Sequence, residues 1–434
     1  MHELPAHPGC AYGSVSNSEA IVRGKELRLN RSRGVVVVAV LGSVALAACS
    51  SSKKTGSSST TGSNSSATTA SSGLTGAPIK VVAVTTPITA SDTDNGLKMA
   101  EAYINGTGGI KGRPLSIIIC SDNQDPNTAA TCIRNGISQG AVAELDRSSS
   151  YGASMNPIEQ AAGMADVGGG IYSQADFAAK NMFPLNAGIF STIGSAPLAV
   201  TTLGAKKIGV PYVDVPAGAA LPPTIKEVIT PMGATVVGAV PIAPTAADIT
   251  PQVAAEVQAN PDVVVDGLTQ DAYVKLIKGM QQQGSNAKFM ISSGVMDAGR
   301  MTTNFGANAK NIYQDAEDNY NSPGWQQFLA ACQKYCPDPN NTTGNVIWAW
   351  ESAVLFKTVA EQASTIDASG ISAAIAQVSN FTIGNIIPVI DFTTPGKALG
   401  GAAPRLFNDT LWMFQFENGK LVPVGNGQGV KTLG

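Results

Sequence analysis

The run INGTGGIKGRPLSIIICSDNQDPNTAATC, from Ile104 to Cys132, carries three structural signals in one stretch. Asn105 to Pro114 sets Gly106, Gly108, Gly109 and Gly112 among polar residues, the composition of a turn that needs backbone conformations closed to other residues. Leu115 to Cys120 is a short apolar run bounded by turn signals and reads as a buried strand. Ser121 to Pro126 is an Asp-rich loop, after which Asn127 or Thr128 is placed to cap a helix carrying Cys132. The glycines do not make a phosphate loop. They lack the Lys-Ser/Thr ending and lie between a helix and a strand, the reverse of the order that loop requires.

Working outward, Ile79 to Val84 reads as a strand and Gly96 to Asn105 as the helix before the glycine turn. From Pro78 onward short apolar runs alternate with amphipathic stretches, which predicts α/β architecture with parallel sheets. A chain of 434 residues with 44% hydrophobic content has room for two domains of ordinary size. Its charged fraction is only 14% and its net charge is −3, so no basic field exists to gather phosphates and nucleic acid is excluded as a partner.

Toward the N-terminus, Arg23, Lys25, Arg28, Arg31 and Arg33 precede the apolar stretch Gly34–Ala48. That stretch is too short to span a bilayer comfortably and suits the apolar region of a signal peptide over residues 1–48. It ends in Leu46-Ala47-Ala48-Cys49, which resembles the lipobox of bacterial lipoproteins, with Cys49 as the lipidated first residue of the mature chain. The leader is long, so translation is expected to start downstream of Met1. Residues 49–77 are almost wholly Ser, Thr, Gly, Ala and Asn, a flexible tether that cannot bury enough apolar surface to order itself. The expected location is the extracytoplasmic face of the cell membrane, lipid-anchored.

Four cysteines remain in the folded part: Cys120, Cys132, Cys332 and Cys336. Outside the cell they favour disulfides, and the two local pairs are preferred among the three possible connectivities, with a zinc site as the rival reading. The only histidines, His2 and His7, lie in the leader. Ser-His-Asp and Cys-His nucleophile systems, histidine bases and His-rich metal sites are therefore excluded from the mature chain. No metal and no cofactor are expected.

Ile104–Cys132, followed by Ser148-Ser149-Ser150-Tyr151-Gly152, Gly204–Val210 and Pro261–Val265, resembles the branched-chain amino acid receptor family of ABC transporters in family order, over nearly all of residues 78–425. The resemblance implies a type I periplasmic-binding-protein fold: two doubly wound parallel-sheet lobes joined by three crossover strands, with the ligand in the cleft between them. One lobe would comprise residues 78–195 and 318–404, the other 196–317 and 405–434. It also implies an ABC permease in the membrane as partner, a small-molecule ligand, and a monomer. Closure on the ligand would be a hinge motion.

In that fold ligands sit beyond the carboxyl ends of the strands. The candidate ligand-binding residues in the first lobe are Ser148, Ser149, Ser150 and Tyr151, which could instead form a solvated turn, and Gly169, Gly170, Tyr172 and Ser173, of which Tyr172 could be a rim or core aromatic. The second lobe offers Tyr212, Thr269, Gln270 and Ser293. Ala217 stands where many relatives have an aromatic residue. Ser293 stands about where the amino-acid receptors place a Glu for the ligand's ammonium, a role that Asp271 or Asp297 could take if either turned inward. The cargo classes left open are an amino acid, an amide, a small carboxylate and an aromatic compound. A ligand-binding sensor without a transport role, and an extracytoplasmic amidase, are the alternatives; the second has neither histidine nor a nucleophile-elbow motif.

Overall fold

The computed structural model describes residues 73–434. The leader, Cys49 and most of the tether lie outside the described residues. Among the described residues no helix is long and apolar enough to cross a membrane.

The first sheet holds β1 (Ile79–Thr85), β2 (Leu115–Ser121), β3 (Ala141–Leu145), β4 (Asp166–Gly168) and β5 (Met182–Pro184), in the order β2-β1-β3-β4-β5 and parallel throughout. β1 shows why it lies in the middle. Ile79, Val81 and Ala83 enter one core with Leu97, Ala100, Val346 and Trp350, whereas Val82 and Val84 enter another with Ala129, Ile133 and Met155. A strand buried on both faces carries apolar residues at consecutive positions, with the two-residue period deciding which core each one joins.

The glycine turn is a tight connection closed by the Ile110–Arg113 bridge, with Lys111 and Gly112 both at positive φ. Asn105, at the end of the helix Ala90–Gly106, fixes the far end of that connection. Its side chain donates to the Leu115 carbonyl at 2.9 Å and accepts from the Leu115 amide at 2.8 Å. The helix Pro126–Ser138 is capped not by Asn127 or Thr128 but by Asp125, which accepts from the Thr128 amide at 2.7 Å. Pro126 fits the first helical position because its missing N–H would have no partner there, which places the cap at Asp125, two residues before Asn127.

The second sheet contains β6 (Lys207–Gly209), β8 (Thr235–Gly238), β10 (Val263–Val264), β11 (Lys288–Ser292), β12 (Ile312–Ala316), β13 (Thr410–Glu417) and β14 (Lys420–Pro423), ordered β14-β13-β12-β11-β10-β6-β8. It is parallel from β8 to β12; β13 joins antiparallel, and β14 and β15 (Val430–Lys431) pair with β13 in the same sense. β7 (Tyr212–Val213) and β9 (Pro241–Ile242) form a small separate pair.

The chain crosses between the sheets after β5, after β12 and before β13. These crossings touch one another: the Ala187 amide donates to the Glu317 carboxylate, and Asn408 Nδ2 donates to the Leu185 carbonyl at 3.1 Å. After the second crossing the helices Pro323–Tyr335 and Gly344–Gln362 return to the first core. The helix Gly344–Gln362 is buried around nearly its whole N-terminal half, Asn345, Glu351 and Ser352 included among mostly apolar residues.

Candidate ligand-binding cleft

In an open parallel sheet the natural crevice opens where strand order reverses, at the carboxyl ends of the strands. In the first sheet this point lies between β1 and β3, and in the second between β6 and β10. The loops leaving those strands face each other. Between them lies a cavity of about 460 Å³, lined from the first lobe by Ile88, Thr89, Asp92 and Asn345, and from the second by Leu268–Asp271, Gly294, Val295 and Arg300. A larger hollow of about 590 Å³ lies around Ala205, Val263 and Lys288, at the amino ends of β6, β10 and β11. It has none of the convergent loops of a switch point, and the inter-lobe cavity is the better site on that ground.

Of the residues singled out in the sequence, Thr269 and Gln270 line this cavity, Thr269 being the N-cap of the helix Gln270–Gln282. Ser293 lies beside it, buried, its amide donating to the Asp315 carbonyl at 2.9 Å and its carbonyl accepting from the Gly344 amide at 2.8 Å. Tyr212 is half-buried in β7 and bridges to Gly267. Ser148 to Tyr151 occupy the loop after β3. Ser149 is fully enclosed and gives its hydroxyl to Asp122 at 2.8 Å, Ser150 is exposed, and Ser148 Oγ is buried without a partner among the described residues. Gly169 and Gly170 are buried after β4. A Cβ on Gly170 would lie 2.5 Å from the Tyr172 ring, so the glycine makes room for that half-buried ring. Ser173 closes a capping box with Asp176.

Asp297 and Asp271 take different positions. Asp297 is buried and caps the helix Ala298–Phe305 through the Arg300 amide at 2.8 Å, while its other oxygen accepts from the Thr342 amide at 3.0 Å. Asp271 is exposed at the rim of the cavity.

Other polar groups gather where the first lobe meets the crossing segments, and no local motif announced them. Asp146, Glu317, Asp318 and Glu351 are all buried, and none has a basic side chain within 4.0 Å among the described residues. Burial, then the neighbouring Asp166, pushes the Asp146 carboxyl up to about 8, although a bond from Ser352 opposes this. Burial raises Asp318 to about 7 against the lowering effect of Glu351 and Trp348. Burial and the Asp318 charge hold Glu351 well above the usual range. Near neutral pH burial favours the protonated, neutral form of these groups.

In the first lobe Arg147 is fully buried and ion-paired with Glu144, Glu159, Asp166 and Asp176, while Asn156 accepts from its guanidinium at 2.7 Å. Its carbonyl accepts the Gly170 amide at 3.1 Å, so the loops after β3 and β4 are built on one charged centre. The disulfides Cys120–Cys132 and Cys332–Cys336 brace the β2 strand to its following helix and the end of the helix Pro323–Tyr335. Among the described residues no group of three His, Cys, Asp or Glu side chains is arranged to hold a metal.

The same arrangement of two sheets and crossings occurs in solved structures. A substrate-binding periplasmic protein from Ralstonia solanacearum superposes with a TM-score of 0.67 at 16% identity, over 80% of this chain and 100% of its own. A fatty acid ABC transporter substrate-binding protein from Thermomonospora curvata gives 0.66 at 16% identity, over 83% and 94%. A leucine-binding protein from Thermotoga maritima gives 0.61 at 15% identity, over 80% and 98%. At these identities the likeness establishes the fold and leaves the cargo open. No curated protein matches the chain in sequence. The family described as periplasmic binding protein matches residues 81–417, and the chain, with its two sheet lobes, three crossings and inter-lobe cavity, belongs to that family.

Proposed function

We propose that the protein is the extracytoplasmic solute-binding component of an ABC importer, a lipoprotein anchored through Cys49, which captures a small polar molecule between its lobes and presents it as a monomer to a membrane permease. The observation that carries this reading is the cavity at the switch points of both sheets, lined from both lobes by apolar side chains such as Ile88, Leu268 and Val295 together with the polar Thr269, Gln270 and Asn345. Residues 78–195 and 318–404 would form one lobe, 196–317 and 405–434 the other, and the protein would bind rather than catalyse.

The chemistry of the cleft narrows the cargo. Ser293 offers no charge, Thr269 and Gln270 present uncharged hydrogen-bonding groups, and the two charged side chains that meet across the cavity, Asp92 and Arg300, are paired with one another. A cargo with a single net charge would find no free counter-charge in that pair, whereas a neutral hydrogen-bonding cargo needs none. This supports an amino acid or amide cargo over a simple carboxylate.

A thermal-shift titration of the purified protein against polar metabolites tests the reading, because a ligand that binds only the native state raises its melting temperature. Stabilisation by amino acids or amides is expected. Failure of every polar metabolite to stabilise would overturn the receptor assignment, and stabilisation by carboxylates alone would overturn the cargo class. Incorporation of labelled fatty acid, lost in Cys49→Ala, tests the anchor.

A further inference from the structure

The lobes are also joined directly at the mouth of the cleft. Arg300, in the first turn of the helix Ala298–Phe305, reaches across to Asp92, in the first turn of the helix Ala90–Gly106. Its two terminal nitrogens donate to the two carboxylate oxygens at 2.6 Å each, the parallel fork that makes an Arg–carboxylate pair both strong and directional. Asn341 Nδ2 donates to Asp92 as well, at 2.8 Å. Burial pushes the Asp92 carboxyl up, but its bonds to Arg300 and Asn341 and the Arg300 charge more than reverse this, so it stays below the usual carboxylate range and ionised near neutral pH.

Asn341 is itself held in place. Its side-chain oxygen accepts from the Thr343 hydroxyl at 3.0 Å and from the Thr343 amide at 3.3 Å. The loop that carries it begins at Cys336, the C-cap of the helix Pro323–Tyr335, and Cys336 is bonded to Cys332 in the last turn. Cys332 Sγ lies 3.9 Å from the Asn341 carbonyl oxygen, so the bridge packs beneath the loop. The same loop docks on the second lobe at three further points: Thr342 on Asp297, Gly344 on Ser293, and Asn345 on the Gly294 carbonyl at 2.7 Å.

We propose that Arg300, Asp92 and Asn341 form a clasp that shifts the lobes toward the closed arrangement, and that the Cys332–Cys336 bridge positions the loop completing it. Every bond in the clasp runs from protein to protein. It therefore biases the open–closed equilibrium in the absence of any cargo. Rotation about the crossing segments would break both bonds of the Arg300 fork together while Asn341, in the same lobe, stays with Asp92, which makes the clasp a two-state element rather than a graded one. The bridge would act as a positioning device. Without it the loop from Pro337 to Thr343 keeps its sequence but loses its fixed origin, and Asn341 its register on Asp92.

The test needs no cargo and is therefore separate from the receptor assignment. Spin labels on ketone-bearing residues at the exposed positions Asn123 and Asp214 leave the native thiols untouched, and pulsed dipolar spectroscopy then reads the inter-lobe distance distribution of the purified protein. Arg300→Gln should raise the ratio of open to closed populations about fivefold or more, the lower end of a typical coupling between two states. Arg300→Lys, which keeps the charge but not the fork, should lie between. The pair Cys332→Ser with Cys336→Ser should move the distribution the same way, and by less when Arg300→Gln is already present. Should that pair fail to fold, Asn341→Ala with the bridge intact replaces it. Superimposable distributions for the parent and Arg300→Gln would overturn the clasp. An unchanged distribution in a folded bridge variant, or in Asn341→Ala, would overturn the positioning role.

Discussion

Arg147 is fully buried, and the four carboxylates around it outnumber its single charge. Burying such a set is tolerable only while the guanidinium links its members, because removing one partner of a buried network leaves uncompensated charge. Arg147→Met is therefore expected to cost about 3–5 kcal/mol at pH 7.5. The loss should be smaller at pH 5, since Glu144 and Asp166 are already pushed upward by burial and take up protons readily when the cation is gone. Urea unfolding at the two pH values checks this, and equal losses at both would show that the charge plays no part. The residue was not legible as a centre. A lone Arg after an apolar run has no burial signature, because its partners come from β3, the helix Gly152–Ala161, β4 and the turn at Asp176. The hydroxyls beside it were conspicuous in the sequence, yet Ser149 serves Asp122 and only Ser148 retains an unpartnered oxygen.

At the scale of elements, what the sequence disclosed is what short periods and turn chemistry encode. The strand Ile79–Thr85, the glycine turn and the strand Leu115–Ser121 were legible because each depends on residues close in sequence, and the Asn105 clamp on Leu115 spans only ten positions. The helix Gly344–Gln362 was not. Its N-terminal half is buried on all sides, polar Asn345, Glu351 and Ser352 included, so no amphipathic period marks it, and its place against the helix Ala90–Gly106 is fixed by tertiary packing. The cleft lining was half legible for the same reason: Thr269 and Gln270 follow a readable strand, but the Arg300–Asp92 pair is separated by 208 residues. The glycine turn permits a sharp test. Gly109 has φ +67°, and a Cβ there would lie 2.3 Å from the Arg113 carbonyl oxygen, backbone that cannot move without opening the Ile110–Arg113 bridge. Gly109→Ala should destabilise by about 2 kcal/mol or more. Gly163 has φ +63° with open space around it, so Gly163→Ala incurs only the left-handed backbone cost of about 1–2 kcal/mol. Calorimetric melting of the two variants should place Gly109→Ala below Gly163→Ala, and the reverse order would mean that the turn yields.

Over the whole molecule, buried carboxyls with too few cations determine how stability follows pH. Burial raises Asp146 and Asp266 to about 8, Asp166, Asp318 and Glu256 to about 7, and Asp315 to about 6, all from ordinary values near 4. Between about pH 4 and 8 the native state therefore binds more protons than the unfolded chain. Stability then falls as pH rises through that window, because its slope with pH follows the excess of protons bound in the unfolded state, which is negative here. Asp92, Asp125, Asp248, Asp367 and Asp391 have the opposite sign: they are held below the ordinary value, and their stabilisation is lost only as pH falls below about 4. The melting temperature should peak near pH 4–5 and decline toward pH 8.5, the reverse of ordinary acid denaturation. Glu256 isolates one contribution away from the cleft. It is buried against Gly209 and Gly238, where a Cβ on either would lie 2.1 Å from its carboxylate, and both its oxygens lack partners among the described residues. Glu256→Gln keeps the shape and cannot ionise. It should leave stability near pH 4.5 almost unchanged and raise it above pH 7, so the variant and parent curves diverge as pH rises. Parallel curves, or a parent curve that climbs toward pH 8, would show that these carboxyls are ionised and accommodated in the native state, and the buried charge would need partners that the fold does not supply.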